Sequence, residues 1–283
     1  MSTLSRKIRT PLAEVRELTY KKRDSWWTVL LVDPVAVHVV RWVQPYRWIT
    51  PNLVSAFAFV LGLGAAACFA TADRPWLIVG AVLFHLAFVA DCIDGKVGRL
   101  NGTGTFFGAW LDYMLDRIRV VLCAIALFGA QWRETGDDRF LVVGGAVVFL
   151  DTLHHVNSLE IARVKATMRA ALAQATGAAD DPSPDFRSRP GRYARVRNAL
   201  LAGRIRPNVI STVEFHMAVF IVAPLTGAIL EVSVVTGALL VAFEAVISLG
   251  FYLTTRSVTR RTRSARSTSG PAPADGSPTS PRT

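Results

Sequence analysis

The sequence predicts an all-α integral membrane protein: six transmembrane helices preceded by an amphipathic helix lying in the membrane interface. Three observations predict it. Of the 283 residues 51% are hydrophobic, and they fall in blocks rather than stripes. Residues 53–71 (LVSAFAFVLGLGAAACFAT) carry no charge, enough to cross ~30 Å of hydrocarbon at about 1.5 Å per residue. The net charge is nevertheless +11, and the Lys and Arg residues collect on one side of the expected membrane.

The spans are expected at 52–71, 75–98, 106–131, 139–160, 209–229 and 232–255. The connections at 72–74 and near 230 are very short, so they join antiparallel neighbours. With both ends inside, 27 Lys/Arg lie on the inner side. Only Arg74, Arg133 and Arg139 lie on the outer side, while Arg117 and Arg119 fall within the third span. This positive-inside bias places both termini and the 161–208 loop in the cytoplasm. The expected location is the bacterial cell membrane, as a multi-pass protein.

Residues 26–43 (WWTVLLVDPVAVHVVRWV) form a further apolar block. Asp33-Pro34 interrupts it, and spanning would carry seven Lys/Arg of residues 1–25 outside. An interfacial helix fits better, with Trp26, Trp27 and Trp42 at headgroup level. The expected organisation is an N-terminal cytoplasmic segment at 1–51 containing that helix, a six-helix domain at 52–255 and a disordered basic tail at 256–283. Within the domain, 172–192 is rich in Ala, Gly, Pro, Ser and charge and reads as a flexible cytoplasmic loop. The first 25 residues are polar and basic, which predicts no cleaved signal peptide. Cys68, Cys92 and Cys123 fit neither a zinc site nor a disulfide framework and read as small core hydrophobes. A basic chain can suggest nucleic acid, but no binding module for it is present.

The chemistry is concentrated at 91–117, DCIDGKVGRLNGTGTFFGAWLDYMLDR. Asp91 and Asp94 are three apart near the end of the second span; Asp112 and Asp116 are four apart near the start of the third. Residues at those spacings share a helix face. A short connection makes the two helices antiparallel, so four carboxylates can converge at one cytoplasmic edge. Such a cluster needs cations, and all-oxygen sites suit Mg²⁺ or Mn²⁺. Two ions can clamp the attacking and leaving oxygens of a phosphoryl displacement. Gly95, Gly98 and Gly108 would let a phosphate or nucleotide approach the backbone, and Arg99 offers it a planar fork. Helix packing alone also explains the glycines, but acidic residues at membrane depth are rare and usually functional.

Other polar residues interrupt the apolar blocks. Asp151, His154, His155, Asn157 and Glu160 end the fourth span; Glu214 and His216 begin the fifth. These could line an acceptor pocket, Glu214 first among them, bond between helices, or simply lie exposed at the interface. Arg163, Lys165, Arg169, Arg204 and Arg206 could recognise a phosphorylated acceptor; positive-inside placement explains them equally well. Arg119 shares a face with Asp112 and Asp116 and can balance their charge. Glu244 sits mid-span and needs a partner, and His85 reads as a satisfied packing residue.

The segment resembles the CDP-alcohol phosphatidyltransferase family, whose signature is D-x2-D-G-x2-A-R-x8-G-x3-D-x3-D. Asp91, Asp94, Gly95, Arg99, Gly108, Asp112 and Asp116 match with every spacing kept, and Gly98 stands where the family has Ala. The resemblance implies a six-helix bundle with an interfacial N-terminal helix, often a homodimer. It implies that Asp91, Asp94, Asp112 and Asp116 hold two Mg²⁺ or Mn²⁺ ions. It also implies that Asp116 takes the acceptor hydroxyl's proton, and that Gly95, Arg99 and Gly108 surround the CDP group. Asn52, in a segment like the family's first-helix start, touches the nucleotide or caps the helix. The implied reaction transfers a phosphatidyl group from CDP-diacylglycerol to a polar alcohol in phospholipid synthesis, releasing CMP. A CDP-linked headgroup passed to a lipid acceptor is the alternative. From another class, a cation transporter would use the same carboxylates but has no need of the glycine and arginine framework.

Overall fold

The computed structural model describes residues 10–46, 48–176, 198–206 and 211–268. They are helical throughout, without a named strand. The chain divides into two compact units, Met1–His154 with Pro190–Phe243, and His155–Arg189 with Glu244–Thr283.

In the first unit α1 (Leu12–Thr19) stands within the stretch expected to be simply polar and basic. Its Val15 and Thr19 are fully buried, and it packs on α2 and α4. Within the block expected to form the interfacial helix stands α2 (Asp33–Val43), entered through a π-helical turn at Thr28–Val32. That turn is how the chain accommodates Pro34, whose missing N–H breaks a regular α ladder. Val32, Ala36, Val37, Val40 and Val43 bury against Ile93 and Val97 of α4. The opposite face leaves Leu31, Val35 and Trp42 exposed.

Helix α3 (Pro51–Phe69) opens with Thr50 as its cap, the hydroxyl accepting from the Leu53 amide, and Pro51 in its first turn; both favour helix starts. It packs along α4 (Arg74–Asn101) and α5 (Phe106–Thr135). The α4–α5 connection is short because Gly102 stops α4 in the left-handed region (φ 63°) and Thr105 caps α5 by accepting from the Gly108 amide. Helix α7 (Thr212–Thr226) repeats the device of α2, with a π-helical turn at Ala218–Val222 before Pro224. Phe69, Phe84, Phe128, Phe215 and Phe220 fill the core between these helices. The Phe84 and Phe220 rings lie 4.7 Å apart.

Arg74 and Arg133, assigned to the outer side by charge counting, also cap helices. Arg74 donates to the Pro224 carbonyl at 3.0 Å at the end of α7, and Arg133 to the Ala70 carbonyl at 2.8 Å at the end of α3. Cations are favoured at helix C-termini.

Helices α6 (Arg139–Thr176) and α8 (Ile229–Thr268) run from the first unit into the second. They continue well past 160 and 255, where the spans were expected to end, because 161–176 is an Ala-rich, Arg/Lys-containing run of good helix formers. Residues 172–176 and 256–268 are therefore helix rather than loop and tail. The rest of the expected loop to 192, and the tail from 269, lie outside the described residues. In the second unit the Asn157 amide donates to Glu244 at 2.6 Å, which supplies the partner the mid-span glutamate needs.

Among the described residues four helices are long and apolar enough to cross a membrane: α3, α4, α6 and α8. The expected third and fifth spans differ. Helix α5 is long, but Asp112, Asp116, Arg117 and Arg119 interrupt its first half. Helix α7 is apolar but shorter than the ~20 residues a bilayer asks for.

Candidate active site

Asp91 and Asp94 project from the last turns of α4 and Asp112 from the second turn of α5. One carboxylate oxygen of each lies within 4.8 Å of the others. Asp94 is buried and accepts a hydrogen bond from Ser55 of α3. All three helices therefore meet at one point. Three converging carboxylates, with no lysine or arginine among the described residues pairing Asp94 or Asp112, form a hard oxygen donor set, and it fits a divalent cation such as Mg²⁺ or Mn²⁺.

Asp116 belongs to the same face but stands outside that trio. It pairs with both Arg117 and Arg119. Arg117 reaches on to Asp151 of α6 at 2.5 Å, and Asp151 bonds His216 of α7 at 2.8 Å. Asp151 and His216 thus make the interhelical bond that was one of their readings. Arg119 balances Asp116 as expected, and its second neighbour is Asp91, at 3.7 Å, rather than Asp112.

Beside the trio lies a cavity of about 250 Å³ lined by Asn52, Ser55, Asp94, Gly95, Arg99, Gly108 and Asp112. The four residues expected around the nucleotide, Gly95, Arg99, Gly108 and Asn52, all face it. Space is short at Gly108: a Cβ would come 2.6 Å from the Asn52 side-chain oxygen, which would have to move. Arg99 is held from behind, its Nε and Nη2 donating to the Thr19 carbonyl at 3.1 and 3.0 Å.

Glu214, expected at the acceptor, is not among the residues lining this cavity. Glu214 accepts from the amide of Ser211 at 2.9 Å and from its hydroxyl, a capping box for α7. Arg163 lies in the second unit, exposed, 3.9 Å from Glu160. His85 packs edge-on to Trp27, yet its buried Nδ1 has no hydrogen-bond partner among the described residues, so it is not fully satisfied.

Sequence reasoning did not anticipate two features. One is Ser55, whose only signal is a hydroxyl in an apolar run. The other is a buried charge cluster in which Asp33 pairs with Lys96 at 2.9 Å and Arg204 at 3.0 Å. Arg204 also lies 4.1 Å over the Tyr20 ring. Burial, and after it the Asp33 charge, push the Tyr20 hydroxyl's pKa up. Asp33 before Pro34 inside an apolar block was the visible half of the cluster; its partners, 63 and 171 residues away, were not.

An all-helical chain with candidate membrane spans and a carboxylate trio beside a polar cavity defines a membrane-associated protein with a metal-type oxygen site. Residues 48–176 match the family CDP-alcohol phosphatidyltransferase, and this stretch is a domain of that family. Among curated proteins the chain is 35% identical over 84 residues to a CDP-diacylglycerol–glycerol-3-phosphate 3-phosphatidyltransferase of Cereibacter sphaeroides, covering 29% of this chain and 38% of the relative. It is 38% identical over 101 residues to a phosphatidylinositol phosphate synthase of Corynebacterium glutamicum, covering 36% and 41%. It is 39% identical over 70 residues to a bifunctional IPC transferase and DIPP synthase of Aquifex aeolicus, covering 24% and 15%. The chain spans well under half the length of these relatives.

Proposed function

We propose that this chain is an integral membrane enzyme that transfers a phosphatidyl group from CDP-diacylglycerol to a polar alcohol, releasing CMP. The observation that carries the reading is the Asp91–Asp94–Asp112 trio, of which Asp94 and Asp112 line a cavity walled by glycines and Arg99. The cavity takes the CDP end of the donor. Gly95 and Gly108 let its diphosphate come close to the backbone, and Arg99, braced by the Thr19 carbonyl, faces it.

Two divalent cations, Mg²⁺ or Mn²⁺, held by Asp91, Asp94, Asp112 and Asp116, would neutralise the diphosphate and polarise the phosphorus–oxygen bonds. The acceptor oxygen attacks the β-phosphorus, the bond to the CMP oxygen breaks and CMP leaves. Asp116 takes the acceptor's proton. Its position one turn beyond Asp112, outside the trio, supports a role on the acceptor side. General base catalysis supplies roughly 10²–10⁴-fold, so Asp116→Asn should remove most turnover while donor affinity stays near that of the unmodified protein. Wild-type turnover in that variant would sink the assignment.

Metal-dependent CMP release is the direct test. CDP-diacylglycerol is presented with glycerol phosphate, inositol phosphate, serine and a lipid alcohol in turn. The phosphorylated polyols are tried first, a choice supported by the relatives' names, which include glycerol-3-phosphate and a phosphatidylinositol phosphate. Turnover should need Mg²⁺ or Mn²⁺ and stop in excess EDTA. Release only when a CDP-linked headgroup is paired with a lipid acceptor would turn the reaction round. Cation flux without CMP release would favour a transporter.

The layout proposed with this activity keeps six crossings, both termini and the 161–208 loop in the cytoplasm, and pairing of two copies. Engineered cysteines at 180 and 275 should resist a membrane-impermeant thiol reagent added to intact cells. Gly108→Ala, which drives a methyl into the Asn52 amide, should raise the KM for the donor by about tenfold with a smaller change in kcat.

A further inference from the structure

We propose that Arg119 is a built-in counter-ion that competes with the divalent cation for Asp91 and Asp116, and so sets how tightly the acidic site holds metal. This rests on the reading of the aspartates as metal ligands. The guanidinium is a cation already at the site. It pairs with Asp116, lies 3.7 Å from Asp91, and Asp91 is one of the three converging carboxylates.

The side chain cannot step aside into water. It is 3% exposed, with Phe84's ring 5.8 Å from its Cζ. Its stem runs through a notch at Gly62 that a Cβ would fill, meeting Cγ and Cδ well inside contact distance. The notch therefore requires glycine, in the middle of α3, to let the arginine through.

The Arg119 Nε is buried without a hydrogen-bond partner among the described residues. Burying a charged donor unpaired is costly, so surroundings satisfied on every side do not explain the residue's place. Its contacts with the two aspartates do. Together these carboxylates would repel one another in a low-dielectric setting, and Arg119 makes the metal-free site tolerable. A divalent cation entering between Asp91 and Asp116 must displace the guanidinium or sit beside a like charge, and either weakens its binding.

The test measures Mn²⁺ binding to the full chain in detergent without donor, by electron paramagnetic resonance of the free ion, together with metal-free thermal stability. Arg119→Gln removes the charge and should lower the Mn²⁺ Kd by about tenfold or more while lowering the metal-free Tm. Arg119→Lys keeps the charge and should stay within about threefold of wild type. Gly62→Ala keeps the arginine but forces its stem away from the aspartates. It should tighten Mn²⁺ binding by less than Arg119→Gln does, and it carries the test if that variant does not fold. An unchanged or raised Kd in Arg119→Gln, or in Gly62→Ala as its substitute, overturns the proposal and leaves the metal reading standing. Asp94→Asn is the control for that reading: Mn²⁺ binding equal to wild type there removes the metal site and the counter-ion role with it.

Discussion

Asp94→Asn should cut CMP release on the order of 10³-fold or more. Asp94 is the carboxylate where α3, α4 and α5 meet: buried, bonded by Ser55, and within 4.8 Å of Asp91 and Asp112. Asparagine keeps the size and one acceptor oxygen but removes a negative charge that the donor set needs. Ser55→Ala, which leaves the charge and loses only its orientation, should cost about 10–100-fold in metal affinity, the usual effect of losing a partner that orients a ligand. Measuring turnover and Mn²⁺ affinity for both variants separates charge from orientation. Near-wild-type turnover in Asp94→Asn would remove Asp94 from the chemistry altogether.

Asp33→Asn should destabilise the fold by about 3–5 kcal/mol, the usual result of stripping one partner from a buried ion pair. Asp33 is 3% exposed and Lys96 is 4%, so the lysine left behind has little water to turn to. In a thermal melt of the detergent-solubilised chain the apparent Tm should fall by roughly 10 °C. Asp33→Asn combined with Lys96→Met should recover at least half of the loss, because removing both charges avoids the unpaired one. Equal melting of the single variant and wild type would mean that Asp33 does not anchor the N-terminal segment to α4. Arg204 is less sensitive, being 29% exposed and resting on the Tyr20 ring.

The chemistry was more legible than the architecture. Asp91, Asp94 and Asp112 could be placed together because two helical spacings and a four-residue turn leave little freedom between them. Gly95, Arg99 and Gly108 followed because they sit on the facing turns of the same helices, and Asn52 of α3 because its segment resembles the family's first-helix start. Asp116 was harder: helical spacing puts it on the right face, but spacing does not reveal that two guanidiniums hold it away from the trio. Spans were read from apolar runs, which mark α3, α4, α6 and α8 well. The same reading stops short at α5, where charge crowds the first half, and at α7. It also ended α6 and α8 too early, because hydropathy records where a membrane would end and not where a helix does. Helix α1 was missed because its buried positions, Val15 and Thr19, are too few to make a stripe.

The Asp33 cluster also fixes an order of events during synthesis. The carboxylate at 33 leaves the ribosome first and meets Lys96 only once the second long helix has been made. Arg204 follows 171 residues after Asp33. Until then the N-terminal segment is held to α4 by its apolar face, by the Asp33–Lys96 pair and by Arg99 on the Thr19 carbonyl. The arrival of residue 204 adds a second cation to Asp33 and should tighten that hold. A chain truncated between α6 and residue 204 should accordingly insert but remain open to proteolysis around residues 20–33, while one extended past 206 should resist it.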